Sequence, residues 1–524
     1  MVFFQLFRMG LHSATLTVFS AILYCIPFTC PAFWPLCFVA LIPLFFALDK
    51  KTSLIRLAGT GFLWGVLMTL GLSYWVTSAL TGHFHISWPV TLIFMFGCIA
   101  LPIGLLYALF AFGYRTLRPG GILFVMPVLP SLWILAESVR ELVPVMIPWG
   151  FIGYAAMPCT HFIQIADVGG VYILGFIIVS VNALTYHVIV SIVTHVRNGE
   201  RNQHFVHAYR DAIIHIALIV ALIAIPCLYG TARIHSLEKS IHETKAAGFS
   251  IPSTVVQPQL HQQDRWRTET FIERVNMHLG LSKTGEGARG IIVWPETVLN
   301  ASGMVDDNLF AYLTREIGKS AVLFAGGVRR ESDDTIYNSV YAVSGDGGLT
   351  SYDKNILLPF AETTPFGASF GQYYEAPARF NAGNRPSVLH TPLGSAGISI
   401  CFEILYPWHV RNSVLQGAHY CINVSNDAWF ANGDEPFLHH QAARLRAVEQ
   451  RRYLLRASNS GISSIISPTG QLGGIVHAGK GGAAHGEIVP LRIKTIYCAF
   501  GDWMPLAAST IICAGFILSA RTRA

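Results

Sequence analysis

Charge is what this 524-residue chain has least of. Asp, Glu, Lys and Arg make up 13% of it, about half the usual share of a soluble globular protein, which argues against a purely soluble chain. With 52% hydrophobic residues, disorder is excluded as well. The net charge of +6 is small, and no basic cluster interleaved with aromatics stands out, so no nucleic acid partner is expected. Neither a CxxC pair nor an HExxH helix occurs, so no metal site is expected. Ten cysteines in this length do not make a disulfide scaffold. Seven of them lie in or beside apolar runs, where Cys acts as a small apolar residue. Cys401, Cys421 and Cys498 remain, and a Cys401–Cys421 disulfide stays open at this point.

The scarcity of charge is uneven. Residues 1–230 hold ten Lys/Arg and six Asp/Glu, and the other 50 charges sit in the remaining 294 residues. Apolar runs of the roughly 20 residues needed to cross a bilayer lie near 11–29, 32–48, 57–78, 89–114, 120–136, 170–194 and 212–230, with one more near 504–520. Pro127 and Pro130 interrupt the fifth. Cations collect in alternate connections: Arg8; Lys50, Lys51 and Arg56; Arg115 and Arg118; Arg197, Arg201 and Arg210; and Arg521 and Arg523. The connections 30–32 and 79–88 have none, and 137–169 has only Arg140, set against Glu137 and Glu141. The positive-inside rule then predicts a cytoplasmic N-terminus. Three segments follow: seven helices in 1–230, an outer domain in 231–500, and a last helix with a cytoplasmic tail in 501–524.

From about 253 short β-rich runs replace the apolar ones. The pattern predicts strands at Thr254–Gln257, Gly290–Trp294, Ala321–Gly326, Ser339–Val343, Gly397–Cys401, His419–Val424 and Ser463–Ser467. It predicts helices near 266–281, 306–318 and 436–456, and hairpin or loop turns at Ser344–Gly348 and Ala478–Gly482. Strands alternating with helices give an α/β domain. Three strand ends carry reactive groups. Glu296 follows the apolar run Ile291–Pro295, Lys354 follows Tyr352-Asp353, and Cys401 ends Gly397–Ile400. A carboxylate can take the proton of a thiol, and an ammonium can stabilise the negative charge of acyl transfer. Taken singly, a strand-end Cys is an ordinary core residue, and Lys354 is an ordinary surface lysine.

The words around these residues add to the reading. Trp294-Pro295-Glu296, Tyr352-Asp353-Lys354 and Cys401-Phe402-Glu403, in that order, resemble the nitrilase (carbon–nitrogen hydrolase) superfamily. That resemblance implies a Glu-Lys-Cys triad on an α-β-β-α sandwich. Set between seven apolar helices and an eighth, it resembles the apolipoprotein N-acyltransferase family. Further words carry the same likeness: Val256-Gln257, Tyr337-Asn338-Ser339, Tyr352–Glu362, Ser425–Phe430 and Arg444–Glu449. On it, Glu296 is the general base, Lys354 the triad lysine and Cys401 the nucleophile. Glu362 and Glu403 match two further glutamates around the site. Trp266, Asn338 and Trp429 match positions that shape the site or its entrance, and Trp149 lies in a matching Pro148-Trp149-Gly150 loop. Phe402 replaces a common Tyr, Ile356 a common His, and Ala361 and Ala431 common glycines. Pro258-Gln259 stands for the usual Gly-Asn.

The implied reaction needs no cofactor. The Cys401 thiolate takes a fatty acyl chain from a membrane phospholipid. The thioester passes it to the α-amine of an apolipoprotein's N-terminal S-diacylglyceryl-cysteine, with Lys354 and the Phe402 N–H stabilising each oxyanion. The implied partners are therefore a phospholipid, an apolipoprotein and the bilayer of a bacterial inner membrane, with the catalytic domain on the periplasmic side. Phe360, Phe366 and Phe370 either dip into the lipid interface or pack in the domain's own core. A membrane-tethered amidase with the same triad, passing the acyl group to water, is the alternative enzyme; a transporter with an outer binding domain is the non-enzyme one.

Overall fold

The computed structural model describes residues 12–50, 53–117, 124–143, 146, 148–198, 203–261, 264–282, 290–301, 303–331, 335–363, 380–385, 387–430 and 433–523. Arg8, Lys51, Arg118, Arg201, Phe366, Phe370, Ala431 and the start of the 120–136 run lie outside these. The chain divides into two compact units. One comprises 1–77, 87–232 and 502–524; the other comprises 78–86 and 233–501.

The first unit is helical. Among the described residues, five helices are long and apolar enough to cross a membrane: Pro31–Leu48, Leu54–Ser73, Trp88–Leu117, Ala166–Thr194 and Arg210–Ala246. Ser13–Thr29 and Trp503–Leu518 are shorter apolar helices. The 120–136 run takes another form, a π turn at Phe124–Val128 leading into the 14-residue helix Leu129–Leu142. Its prolines loosen the start, and Glu137, Arg140 and Glu141 make its second half polar. Helix Gln203–Ala246 outruns the expected end at 230. No Gly or Pro occurs between 231 and 246 to stop it, and it ends just before Gly248, at φ +83°.

This unit holds carboxylates in its interior: Glu137 and Asp167 are buried and Asp49 is half-buried. Glu137 Oε1 accepts from the Trp133 indole at 3.0 Å and the Ile152 N–H at 2.7 Å. Asp49 accepts from the hydroxyls of Tyr114 and Tyr186, and Asp167 from that of Tyr229 at 2.7 Å. Each pins a loop or helix terminus to a neighbouring helix.

The second unit holds twelve named strands: β1 (Ile251–Gln257), β2 (Gly290–Leu299), β3 (Ala321–Arg330), β4 (Ile336–Ser344), β5 (Leu349–Asp353), β6 (Val388–Thr391), β7 (Gly394–Ile400), β8 (Tyr420–Ser425), β9 (Leu454–Ser458), β10 (Ser463–Ile466), β11 (Leu472–Val476) and β12 (Gly482–Ile488). They form two six-stranded sheets, ordered β12-β1-β2-β3-β4-β5 and β11-β10-β9-β8-β7-β6. In each, the central pairs are parallel and the outer ones antiparallel. Val255, Val293, Phe324 and Val340 from the first sheet share one buried core with Ile398, Ile422, Leu455 and Ile465 from the second. Helices α1 (Phe271–Ser282) and α2 (Asp307–Ile317) bury Val275, Leu279, Leu309 and Leu313 on the first sheet's other face. Helices α3 (Pro407–Leu415) and α4 (Glu435–Gln450) pack against the second. The layers are therefore helix, sheet, sheet, helix.

Several boundaries differ from expectation. The helix expected to 456 ends at Gln450, because Arg451 takes the left-handed conformation (φ +49°) and the chain re-enters a strand at 454. The strand expected through Cys401 stops at Ile400, and Cys401 opens a 3-10 turn to Leu405. The helix expected from 266 starts at Phe271, leaving Trp266 on a separate 3-10 turn. Cys401 and Cys421 are both free, so the disulfide left open by the sequence is not formed.

Candidate active site

Glu296 owes its position to a break in β2. Pro295 donates no hydrogen bond to the ladder, and the β2–β3 register slips between Trp294 and Leu299. Thr297 there has φ +53°. A shift of this kind bends a strand and re-aims its side chains. Gly326 on β3 makes room for it: a Cβ there would lie 2.4 Å from the Pro295 carbonyl oxygen and 2.5 Å from Glu296 Cα.

Lys354 follows β5, and its N–H donates to the Asn338 carbonyl on β4 at 2.8 Å. Asp353 beside it is anchored by Arg329 and by the Ser339 hydroxyl. The Lys354 ammonium is buried, 2.7 Å from Glu362 Oε2 and 3.7 Å from Glu296 Oε1. The Asn338 amide bridges the two acids, donating to Glu296 Oε1 at 2.7 Å and Glu362 Oε1 at 2.8 Å. Glu362 also takes the Leu358 N–H, so a turn of five residues closes over the lysine.

Cys401 stands where β7 turns sharply into its 3-10 segment, at φ +50°, a conformation that costs a residue bearing a Cβ about 1–3 kcal/mol. Glu403 ties that turn to the lysine loop. It is fully buried; one oxygen accepts from the Tyr352 hydroxyl and the N–H groups of Asn355 and Ile356, the other from the Ile400 N–H. One carboxylate thus holds the flanks of Lys354 and Cys401 together.

Electrostatics assign the resting protons. Burial alone would push Lys354 down, but the carboxylates of Glu362 and Glu296 outweigh it and raise it, so it stays an ammonium. Burial, and then the Glu296 charge, push the Cys401 thiol well up, against the opposing pull of Lys354. The thiol is neutral at rest, and attack requires a base that removes its proton as the bond forms.

The other expected residues sort themselves around this cluster. Phe402 is buried, its ring 5.3 Å from Tyr406. Trp429 lies on the 3-10 turn Asp427–Phe430, its ring 4.5 Å from His83 and 5.2 Å from Phe84. Segment 78–86 belongs to the same unit. Trp266 is half-buried with an unpartnered indole N–H, so it does not join the hydrogen-bonded cluster. Trp149 belongs to the first unit, buried against Trp75, and its carbonyl accepts from Arg140.

The sequence reading missed a second buried polar group behind the nucleophile. Asp427 pairs with Arg456 at 2.8 Å and takes the Ser425 hydroxyl at 2.6 Å. His439 Nδ1 lies 3.2 Å from Asp427 and 3.1 Å from Glu435, and its Nε2 lies 3.0 Å from the Cys401 carbonyl oxygen. The i,i+4 spacing of Glu435 and His439 on a helix was the available signal. One donor atom from each of Asp427, Glu435 and His439 falls within 4.8 Å of the others, a spacing a metal ion could use. Arg456 already supplies positive charge there.

Two family models match the chain, one described as the apolipoprotein N-acyltransferase N-terminal domain over residues 20–184 and one as carbon-nitrogen hydrolase over 259–486. The second unit accordingly has the carbon–nitrogen hydrolase fold. Curated relatives named apolipoprotein N-acyltransferase include one from Geobacter metallireducens, 27% identical over 95% of this chain and 94% of its own length. One from Rickettsia prowazekii is 25% identical over 88% and 89%, and one from Methylococcus capsulatus 28% over 77% and 76%. Among solved structures, Saccharomyces cerevisiae Nit3, of the nitrilase superfamily, has a TM-score of 0.35 at 20% identity, covering 48% of this chain and 94% of its own. A carbon-nitrogen hydrolase from Helicobacter pylori has 0.36 at 16%, with the same coverages.

Proposed function

We propose, on the premise that this chain belongs to the apolipoprotein N-acyltransferase family, that it moves a fatty acyl chain from a membrane phospholipid to an apolipoprotein through a thioester on Cys401. The observation that carries the residue assignment is the placement of a partly exposed, strained Cys401 beside a buried cluster of Glu296, Lys354 and Glu362. Glu296 takes the thiol proton as sulfur attacks the ester carbonyl. Lys354 and the Phe402 N–H stabilise the oxyanion. Its collapse expels the lysophospholipid alkoxide, which takes that proton from the carboxyl of Glu296.

In the second half-reaction the α-amine of the N-terminal S-diacylglyceryl-cysteine attacks the thioester. Glu296 accepts the amine's proton and returns one to the Cys401 sulfur, leaving an amide and free thiol. Glu362 keeps Lys354 charged and in place, and Glu403 keeps the nucleophile's turn beside it. A thioester acylates an amine without ATP or CoA. Both substrates keep acyl chains in the bilayer, which supports assigning 1–230 and 501–524 to the bacterial inner membrane and 231–500 to its periplasmic face. The tethered amidase has no feature here in its favour.

The deciding experiment is intact-protein mass spectrometry after incubation with phospholipid, comparing the unaltered protein with Cys401→Ser and Glu296→Gln. The expected result is a fatty-acyl mass on the unaltered protein that hydroxylamine removes and Cys401→Ser lacks. An unmodified protein with every phospholipid tried would overturn the reading.

A further inference from the structure

The peptide unit joining Cys401 to Phe402 is gripped at its carbonyl, and the grip reaches its N–H. That carbonyl oxygen can only accept, so His439 Nε2, 3.0 Å away, carries a hydrogen. The other ring nitrogen faces two carboxyl groups, Asp427 Oδ1 and Glu435 Oε1, which fix the ring's rotation. Asp427 is itself held by Arg456 and Ser425, and all of these side chains are buried. In a trans peptide the carbonyl and the N–H point in opposite directions. Holding the Cys401 carbonyl toward His439 therefore sets where the Phe402 N–H points. A hydrogen bond into that carbonyl also polarises the same amide and strengthens its N–H as a donor. At φ +50° on Cys401, the peptide would otherwise have a reason to rotate away.

We propose that His439 is a positioning residue whose Nε2–H holds the Cys401–Phe402 peptide so that the Phe402 N–H is aimed at the oxyanion. The proposal rests on the reading that Cys401 attacks a carbonyl. In this role His439 acts through the backbone of the nucleophile, at the Cys401 carbonyl.

The test compares the full-length protein with His439→Ala and His439→Gln, since Gln keeps an N–H donor of similar reach. Two rates are read at Cys401, with Cys401→Ser as the blank. One is acylation by p-nitrophenyl acetate, which builds an oxyanion but needs no phospholipid. The other is alkylation by iodoacetamide, followed by peptide mass spectrometry, which builds none. Acylation should fall about 100-fold in His439→Ala, the effect of losing one oxyanion donor, while alkylation changes less than about threefold. His439→Gln should acylate within about tenfold of the unaltered protein. Parallel loss of both rates in His439→Ala, or acylation by His439→Gln that is as slow as by His439→Ala, would overturn the proposal. If His439→Ala does not fold, His439→Gln decides alone. Acylation kept within about tenfold supports the proposal, and a fall of about 100-fold sinks it. A protein that reacts with p-nitrophenyl acetate but with no phospholipid would sink the acyl-donor reading and leave the role of His439 standing.

Discussion

Both units of this protein bury ionisable side chains, and they bury them to different ends. In the first, Glu137 and Asp167 take hydrogen bonds from neutral donors: an indole, a backbone N–H and a tyrosine hydroxyl. In the second, Glu296, Lys354 and Glu362 face one another, as do Asp427, Arg456, His439 and Glu435. A carboxylate that gathers neutral donors from different segments is a brace, because it ties those segments together. Acids and bases that share one small volume settle each other's charge, and moving one proton changes the others. Burial of a charge is common to the two units; several acids and bases gathered around a thiol mark the second.

Lys354→Met should break the comparison most severely. It leaves Glu296 and Glu362 facing each other without a cation, and thioester formation should fall by about 10²–10³. Stopped-flow acylation checks it, and a loss under tenfold would remove Lys354 from the reaction.

Glu435→Gln tests the coupled cluster by pH. Burial, and then the charge of Asp427, push the Glu435 carboxyl up to about 7. A raised carboxyl contributes stability that is complete below its ordinary value and is lost as pH rises to about 7. Over that window the unaltered protein should lose about 3 kcal/mol relative to Glu435→Gln, at 1.36 kcal/mol per unit. Thermal unfolding of both proteins between pH 4.5 and about 8 measures it, and parallel curves would refute it. Asp427 runs the opposite way. Burial opposes its charge, but Arg456 and His439 hold its carboxyl low, so its contribution disappears only in strong acid.

Glu137→Ala, in the first unit, should destabilise by about 1–3 kcal/mol by orphaning the Trp133 and Ile152 N–H groups. Acylation per folded molecule should stay within about threefold. A rate loss as large as that of Lys354→Met would erase the distinction between brace and network. Cys421→Ser should do least. Cys421 is buried on β8, and its replacement should lower the melting temperature while leaving thioester formation on Cys401 intact; an inactive but folded variant would contradict that.

Glu296 and Cys401 were legible because each sits at the end of an apolar run, whereas Lys354 follows the polar strand β5 and was legible only from the words around it. β2 and β7, which lead to Glu296 and Cys401, have parallel neighbours and read as largely apolar segments. Strands β6, β9, β11 and β12 were not legible. They are short and rich in Gly, Ser or His; β12 takes its strand form from β1, far along the chain, while β6 and β11 pair in hairpins with adjacent strands. Helix α4 was over-extended because nothing in Arg451-Arg452-Tyr453 announces a left-handed residue, where glycine would have. The brace role of Glu403 and the position of His439 also escaped. Both depend on which backbone groups the fold brings to them, and sequence spacing does not encode that.

The closure of the first sheet has a consequence for how the protein is made. β12 is the last strand, and it pairs along its whole length with β1, the first, Ile251 lying opposite Ile488. Until residue 488 has been delivered, β1 keeps one bare edge, and the sheet that carries Glu296 and Lys354 lacks a neighbour. Contacts so distant along the chain form slowly, because the intervening loop must be closed before they contribute. An unpaired edge is meanwhile open to pairing with other chains. Assembly of this unit should therefore wait on the arrival of its final strand, and a chain cut short before Gly482 should fail by aggregating rather than by folding into a weaker enzyme.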